Sequence, residues 1–215
     1  MRDAALVIFD CDGVLVDSER ISHAVLQDML AEMGIRLSIE ETVQRFIGTS
    51  LPVLVERITQ LRGCPLPGDF LQQFADRTKA AFTTGLTIVP GVDEVLSSLA
   101  APYCVASNGN HAKVNFTLGH TGLLPLFAGR IFTAEDVKHP KPAPDLFLHA
   151  ARSPNARPAQ VVVVEDTPTG IAAAKAAGMR AIGFAAMTPA SRLQEAGADA
   201  LAADMREVRD ILTAR

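Results

Sequence analysis

Apolar residues along the chain follow two different repeats, and the order of these repeats predicts the architecture. LVIFDCDGVLVD (residues 6–17), YCVASNGN (103–110) and VVVVEDTPTG (161–170) each open with an apolar, strand-forming run that stops abruptly at polar residues. From Ser18 to about Gly85 the spacing is helical instead. Ile21, Val25, Met29 and Met33 form an i, i+4 stripe that ends at Gly34, and Ser38 with Glu41 has the S-x-x-E form of a capping box. Leu51, Leu54, Val55, Ile58 and Leu61 repeat at helical spacing before Gly63, and Phe70, Phe74, Ala81 and Phe82 line a further helix. After Pro90-Gly91, helical and strand patterns alternate to the end, with alanine-rich stretches near 171–177 and 196–203 read as helices. That succession predicts an α/β fold with a doubly wound parallel sheet, formed by residues 1–17 and 86–215 and interrupted by a helical insertion over 18–85.

The strand ends are where chemistry is expected, because ligands of open α/β sheets bind outside the carboxyl ends of the strands. The first run stops at Asp10 and Asp12, the second at Ser107, Asn108 and Gly109, and the third at Glu165 and Asp166. Asp12-Gly13 also has the form of a simple turn, and Glu165-Asp166 that of an exposed acidic pair. If the strands are neighbours, however, four carboxylates share one crevice. At ~5 Å and an effective dielectric of ~20, each like-charged pair costs on the order of 3 kcal/mol. A cation relieves that cost, and oxygen-only donors suit a hard ion such as Mg²⁺, so Asp10, Asp12, Glu165 and Asp166 are the expected metal-binding set. Lys141, held between Pro140 and Pro142, is either surface decoration or a cation set beside the carboxylate cluster. RFIGTS (45–50) breaks the helical pattern and is either an interhelical turn or a substrate-binding loop presenting Arg45, Gly48, Thr49 and Ser50. Arg77 and Lys79 are read as a solvated helix face.

Composition narrows the class. The chain has 215 residues, 48% of them hydrophobic, enough for a sizeable core, and its mean hydropathy is +0.21. A net charge of −4 with dispersed basic residues gives no nucleic-acid footprint. Three cysteines, Cys11, Cys64 and Cys104, without C-x-x-C spacing argue against a disulfide framework or a zinc site. Cys11 lies between the two aspartates but alternates to the other side of the strand. Asp3 lies just before the first strand, so neither a secretory signal nor a membrane span is expected, and the expected location is cytoplasmic. The five histidines show no triad or ligand spacing.

Taken in order, Asp10-x-Asp12, Ser107-Asn108, Lys141 in K-P-x-P-D and Glu165-Asp166 resemble the four motifs of the haloacid dehalogenase-like superfamily. DCDGVLVDSE, VPGV (89–92) and EDTPTGIAAAKAAG are similar to the branch that contains β-phosphoglucomutase and phosphoglycolate phosphatase. The resemblance implies a Rossmann-like core with an α-helical cap over 18–85, which closes over the site and selects substrates. It also implies phosphomonoester hydrolysis of a small phosphorylated metabolite, a sugar phosphate or sugar-acid phosphate, by a monomer or weak homodimer. Asp10 is the implied nucleophile, Asp12 the acid and base, and Ser107 and Lys141 the phosphate clamp, with Asn108 and Gly109 among the substrate-binding residues. Mg²⁺ is implied on Asp10, Asp166 and the Asp12 carbonyl, with Glu165 bound directly or through water.

A phosphomutase is the alternative, with a non-catalytic phospho-ligand module behind it. The mutase pattern places a histidine where Ser22 stands and an arginine where Leu51 stands. Both departures favour hydrolysis.

Overall fold

The computed structural model describes residues 1, 3–49, 51–152 and 156–213. The chain forms two compact units, one of Met1–Asp17 with Thr87–Arg215 and the other of Ser18–Leu86.

The strands are β1 (Leu6–Phe9), β2 (Tyr103–Ser107), β3 (Ile131–Thr133), β4 (Val161–Glu165), β5 (Arg180–Phe184) and β6 (Ala200–Ala202). Among the described residues they make one six-stranded sheet in the order β3-β2-β1-β4-β5-β6, every neighbouring pair parallel. The helices of the insertion are α1 (Ser18–Glu32), α2 (Ile39–Phe46), α3 (Leu51–Arg62) and α4 (Phe70–Gly85). Those of the sheet unit are α5 (Val92–Ser98), α6 (His111–His120), α7 (Asp145–Arg152), α8 (Pro168–Ala176), α9 (Ala190–Glu195) and α10 (Met205–Thr213).

The chain winds from β1 outward to β3, then returns to the other side of β1 to begin β4. The strand order therefore reverses at β1, which places the crevice at the carboxyl ends of β2, β1 and β4. Every residue of β1 and β4 is buried, as expected of parallel strands covered on both faces. Leu6, Ile8, Val161 and Val163 share a core with Leu146 and Phe147 of α7 and Ile171 and Ala174 of α8. At ~2 kcal/mol per fully buried aliphatic side chain, this layer makes the strand ends a firm platform.

One expectation fails here. Residues 196–203 are not a helix: α9 stops before Gly197, whose φ of +99° favours glycine, and Ala200–Ala202 pair with β5 through Ile182, Gly183 and Phe184. The ladder hydrogen bonds override the helix preference of alanine.

The insertion is a bundle with a core of Leu26, Met29, Leu30, Phe46, Leu54, Ile58 and Phe70. The buried apolar residues of α1 are Leu26, Met29 and Leu30, so of the expected stripe Met29 is in the core while Ile21, Val25 and Met33 are half-buried. Helix α1 ends in a Schellman turn, with Gly34 at φ +83° and the Ile35 N–H donating to Leu30 O at 2.9 Å. Ser38 and Glu41 form the capping box, at 3.1 Å (Glu41 N to Ser38 Oγ) and 2.8 Å (Ser38 N to Glu41 Oε2). Leu86 belongs to the helical unit, one residue beyond the expected boundary, because its N–H closes the last turn of α4 on Phe82 O at 3.1 Å. No helix among the described residues is long and apolar enough to cross a membrane.

Candidate active site

Strand register brings two acids to the same face. Phe9 of β1 lies beside Val164 of β4, and the Asp10 N–H continues the ladder to Val164 O at 3.0 Å. Asp10 and Glu165 are thus the next neighbours along adjacent strands. Their side chains leave on the face of Ile8 and Val163, above Phe147. Lys141 Nζ fills the space between them, donating to Asp10 Oδ1 at 2.6 Å and to Glu165 Oε1 at 2.8 Å, and lies 4.8 Å from the centre of the Phe147 ring. All three charged groups are buried.

Two devices hold this triad. Pro140, Pro142 and Pro144 deprive the lysine loop of backbone donors. Its remaining polarity is met by Asn108, whose Nδ2 donates to Lys141 O and whose Oδ1 accepts the Lys141 N–H, both at 3.0 Å. Glu165 is held from the other side, its Oε2 accepting from both the N–H and the hydroxyl of Thr167 at 2.8 Å. Thr167 in turn caps α8 by accepting the Gly170 N–H at 3.0 Å.

These bonds define what each side chain touches. Both ends of the Asn108 amide bond the Lys141 main chain. One Glu165 oxygen accepts from Lys141 and the other from Thr167. Ser107 is buried at the end of β2, and its Oγ accepts the Gly109 N–H at 3.0 Å while still able to donate its own proton. Cys11 turns away from the acids, its Sγ 3.6 Å from Thr117 Oγ1 in α6, and burial pushes its thiol well up.

Asp12 follows on a tight loop closed by Gly13, which sits at φ +77° with its N–H on Val16 O at 2.9 Å. Its carboxylate meets a residue that sequence reasoning missed: Lys113 Nζ donates to Asp12 Oδ2 at 2.8 Å. The available signal was a lysine in the first turn of α6, the end of a helix where a cation is unfavourable.

Burial pushes the Asp10 carboxyl up, to about 7. Lys141 opposes that rise, and the charges of Glu165 and Asp12 add to it. Burial also works against the Lys141 ammonium, but Asp10 and Glu165 outweigh it and hold Lys141 above its usual range. An ammonium gripped by two carboxylates stays protonated at any physiological pH, so Asp10 is the member of the pair that responds to pH.

Among the described residues no three carboxylate, imidazole or thiol side chains close on one point, because Lys141 stands between Asp10 and Glu165 and Lys113 takes one oxygen of Asp12. Asp10 and Asp166 remain, both buried at the ends of β1 and β4, and the buried acids Asp10, Glu165 and Asp166 outnumber the one buried lysine. A hard ion that keeps its waters and needs only one or two carboxylates fits that donor set.

Arg45, Gly48 and Thr49 lie in the helical unit, at the end of α2. Gly48 takes φ +64°, the Thr49 hydroxyl donates to Phe46 O at 2.7 Å, and the Arg45 carbonyl accepts from Arg57. The segment therefore has the geometry of a helix-terminating turn, and Ser50 lies outside the described residues. Arg77 is paired with Glu32 at 2.6 Å on the exposed face.

Residues 7–184 match the family profile of haloacid dehalogenase-like hydrolases. The chain is 33% identical over 181 residues to the 6-phosphogluconate phosphatase of Escherichia coli (strain K12), covering 84% of this chain and 82% of that protein. A conserved haloacid dehalogenase-like protein of unknown function from Agrobacterium tumefaciens strain C58 superimposes with a TM-score of 0.93 at 37% identity, over 98% of each chain. A HAD family hydrolase from Deinococcus radiodurans R1, solved with bound phosphate and sodium, gives 0.85 at 32% identity, over 99% of this chain and 96% of that one. With the strand-end aspartates, the buried lysine and the profile match in agreement, the chain belongs to the haloacid dehalogenase-like hydrolase family.

Proposed function

We propose that the protein is a Mg²⁺-dependent phosphatase of small phosphorylated metabolites, sugar phosphates or sugar-acid phosphates, working through an aspartyl phosphate on Asp10. The observation that carries this reading is the buried Lys141 bridge between Asp10 and Glu165 at the strand-order reversal. A lysine fixed there lowers the charge of the attacking carboxylate and of the phosphoryl group it receives. The similarity to a 6-phosphogluconate phosphatase supports the substrate class, and the phosphate in the Deinococcus relative supports phosphoryl chemistry.

Asp10 attacks phosphorus as the ester P–O bond breaks, and Asp12 gives a proton to the departing alkoxide. Water then attacks the aspartyl phosphate while Asp12 takes back a proton, so phosphate leaves and both aspartates are restored. The Ser107 hydroxyl and Lys141 Nζ hold phosphoryl oxygens. Asn108 and Glu165 act through Lys141, by fixing its main chain and its ammonium. Asp10 and Asp166, with the main-chain carbonyl of Asp12, would hold Mg²⁺, which when bound neutralises charge on the phosphoryl oxygens. Residues 18–86, inserted directly after the aspartate loop, are assigned substrate selection.

The test is a panel of phosphomonoesters with Mg²⁺, including 6-phosphogluconate, hexose phosphates and 4-nitrophenyl phosphate, read as released phosphate. Turnover of sugar or sugar-acid phosphates supports the reading. Failure to release phosphate from any of them refutes it.

A further inference from the structure

Lys113 lies outside the four sequence motifs and donates to Asp12 of the first of them, 101 positions away. Its geometry is built. Asn110 caps α6 and accepts the Lys113 N–H at 2.8 Å, which fixes where the side chain departs. The aliphatic stem then passes over Gly109, where a Cβ would lie 3.4 Å from Lys113 Cδ and 3.3 Å from Ser107 Oγ, so the absence of a side chain at 109 keeps the path open.

Folding does not explain this lysine. It sits in the first turn of α6, where the helix dipole disfavours a cation. The pair is also open to water, the Lys113 side chain being 44% exposed and that of Asp12 18%, and such pairs add little stability. The position is unfavourable for the helix and nearly neutral for stability, yet it delivers an ammonium to one chosen oxygen.

We propose that Lys113 is a positioning residue for the acid–base carboxylate: by holding Asp12 Oδ2 it fixes the orientation of the group that delivers and recovers the proton. This rests on the acid–base role given to Asp12 above. Loss of Lys113 should therefore damage reactions that need a proton delivered to the leaving group and spare those that do not.

The experiment compares kcat/KM, which reports formation of the phosphoenzyme, for an alkyl ester such as 6-phosphogluconate and for 2,4-dinitrophenyl phosphate, whose leaving group needs no proton. Lys113→Met should lower kcat/KM by about tenfold or more on the alkyl ester and by less than about threefold on the aryl ester. Lys113→Arg should recover most of the alkyl activity, and the melting temperature of Lys113→Met should stay within about 2 °C of wild type. Equal losses on both esters would place Lys113 on the phosphoryl group instead and overturn the proposal, as would no loss on either. Asp12→Asn is the control that separates the two levels. If it shows the alkyl-selective loss and Lys113→Met does not, the inference alone fails; if it shows none, the acid–base reading of Asp12 fails and takes the inference with it.

Discussion

The Glu165 carboxylate occupies the space where any residue other than glycine at position 170 would carry its Cβ, which would lie 1.8 Å from Oε1 and 2.0 Å from Cδ. Gly170 is thus what lets Glu165 fold back over the start of α8, accept from Thr167 and still grip Lys141. Ala at an unconstrained helix position would stabilise by up to ~1 kcal/mol over Gly. Here Gly170→Ala must expel Glu165 from Lys141, so the expected outcome is a net loss of ~1–3 kcal/mol in denaturant unfolding and at least a tenfold fall in kcat. A more stable, fully active variant would contradict this placement of Glu165.

Asn108 should matter only through Lys141. Asn108→Ala removes both bonds to the lysine main chain, and kcat should fall by about tenfold or more with little change in KM. In a Lys141→Ala background the same substitution should cost almost nothing further in kcat, because the ammonium that Asn108 positions through the main chain is gone. Full additivity in that double-mutant cycle would show that Asn108 acts on the substrate directly.

The Asp10 carboxyl, raised by burial to about 7, makes the stability of the metal-free protein depend on pH. A folded-state value above the unfolded one means the folded protein holds its proton more tightly. The contribution is complete below the ordinary carboxylate range and disappears as pH rises through about 7, up to about 4 kcal/mol in all. Lys141, raised by its partners, stays charged throughout and adds no slope. Burial of His23 lowers its value and acts in the opposite direction as pH falls below the histidine range, so the comparison that isolates Asp10 is with Asp10→Asn. Between pH 5 and 8 wild-type stability should fall more steeply than that of Asp10→Asn. Parallel curves would contradict the raised Asp10.

Metal removal should silence turnover and Mg²⁺ should restore it, whereas Ca²⁺, which is larger and takes more ligands, should support it poorly. Binding has its own readout. At pH 8, saturating Mg²⁺ should raise the melting temperature, by the equivalent of about 2.7 kcal/mol at a hundredfold excess over Kd, and Asp166→Asn should remove most of that rise. Undiminished activity in EDTA would count against the donor set of Asp10 and Asp166.

The sheet and the carboxyl edge that carries the candidate site were legible because their signals are local. Four valines running into Glu165-Asp166 and an apolar run ending at Asp10 are strand ends in any fold, and the Ser38–Glu41 capping box is contained within four residues. What escaped the sequence depends on contacts between distant segments. Nothing near Glu165 reveals that its oxygens accept from Lys141 and Thr167. Nothing near Asn108 reveals that its amide closes on residue 141, and Lys113 becomes visible only when α6 is laid beside the Asp12 loop. Ala200–Ala202 were misread for a related reason, since alanine favours a helix until a neighbouring strand supplies the hydrogen bonds.

The central claim is that Asp10 carries the phosphoryl group. Its most direct test is an acid quench within the first turnover, followed by peptide mapping of the phosphorylated protein. The account predicts one hydroxylamine-labile phosphoryl group on the peptide containing Asp10, with the alcohol released before phosphate. A phosphoryl group found on another residue, or alcohol and phosphate released together with no labelled peptide, would contradict it.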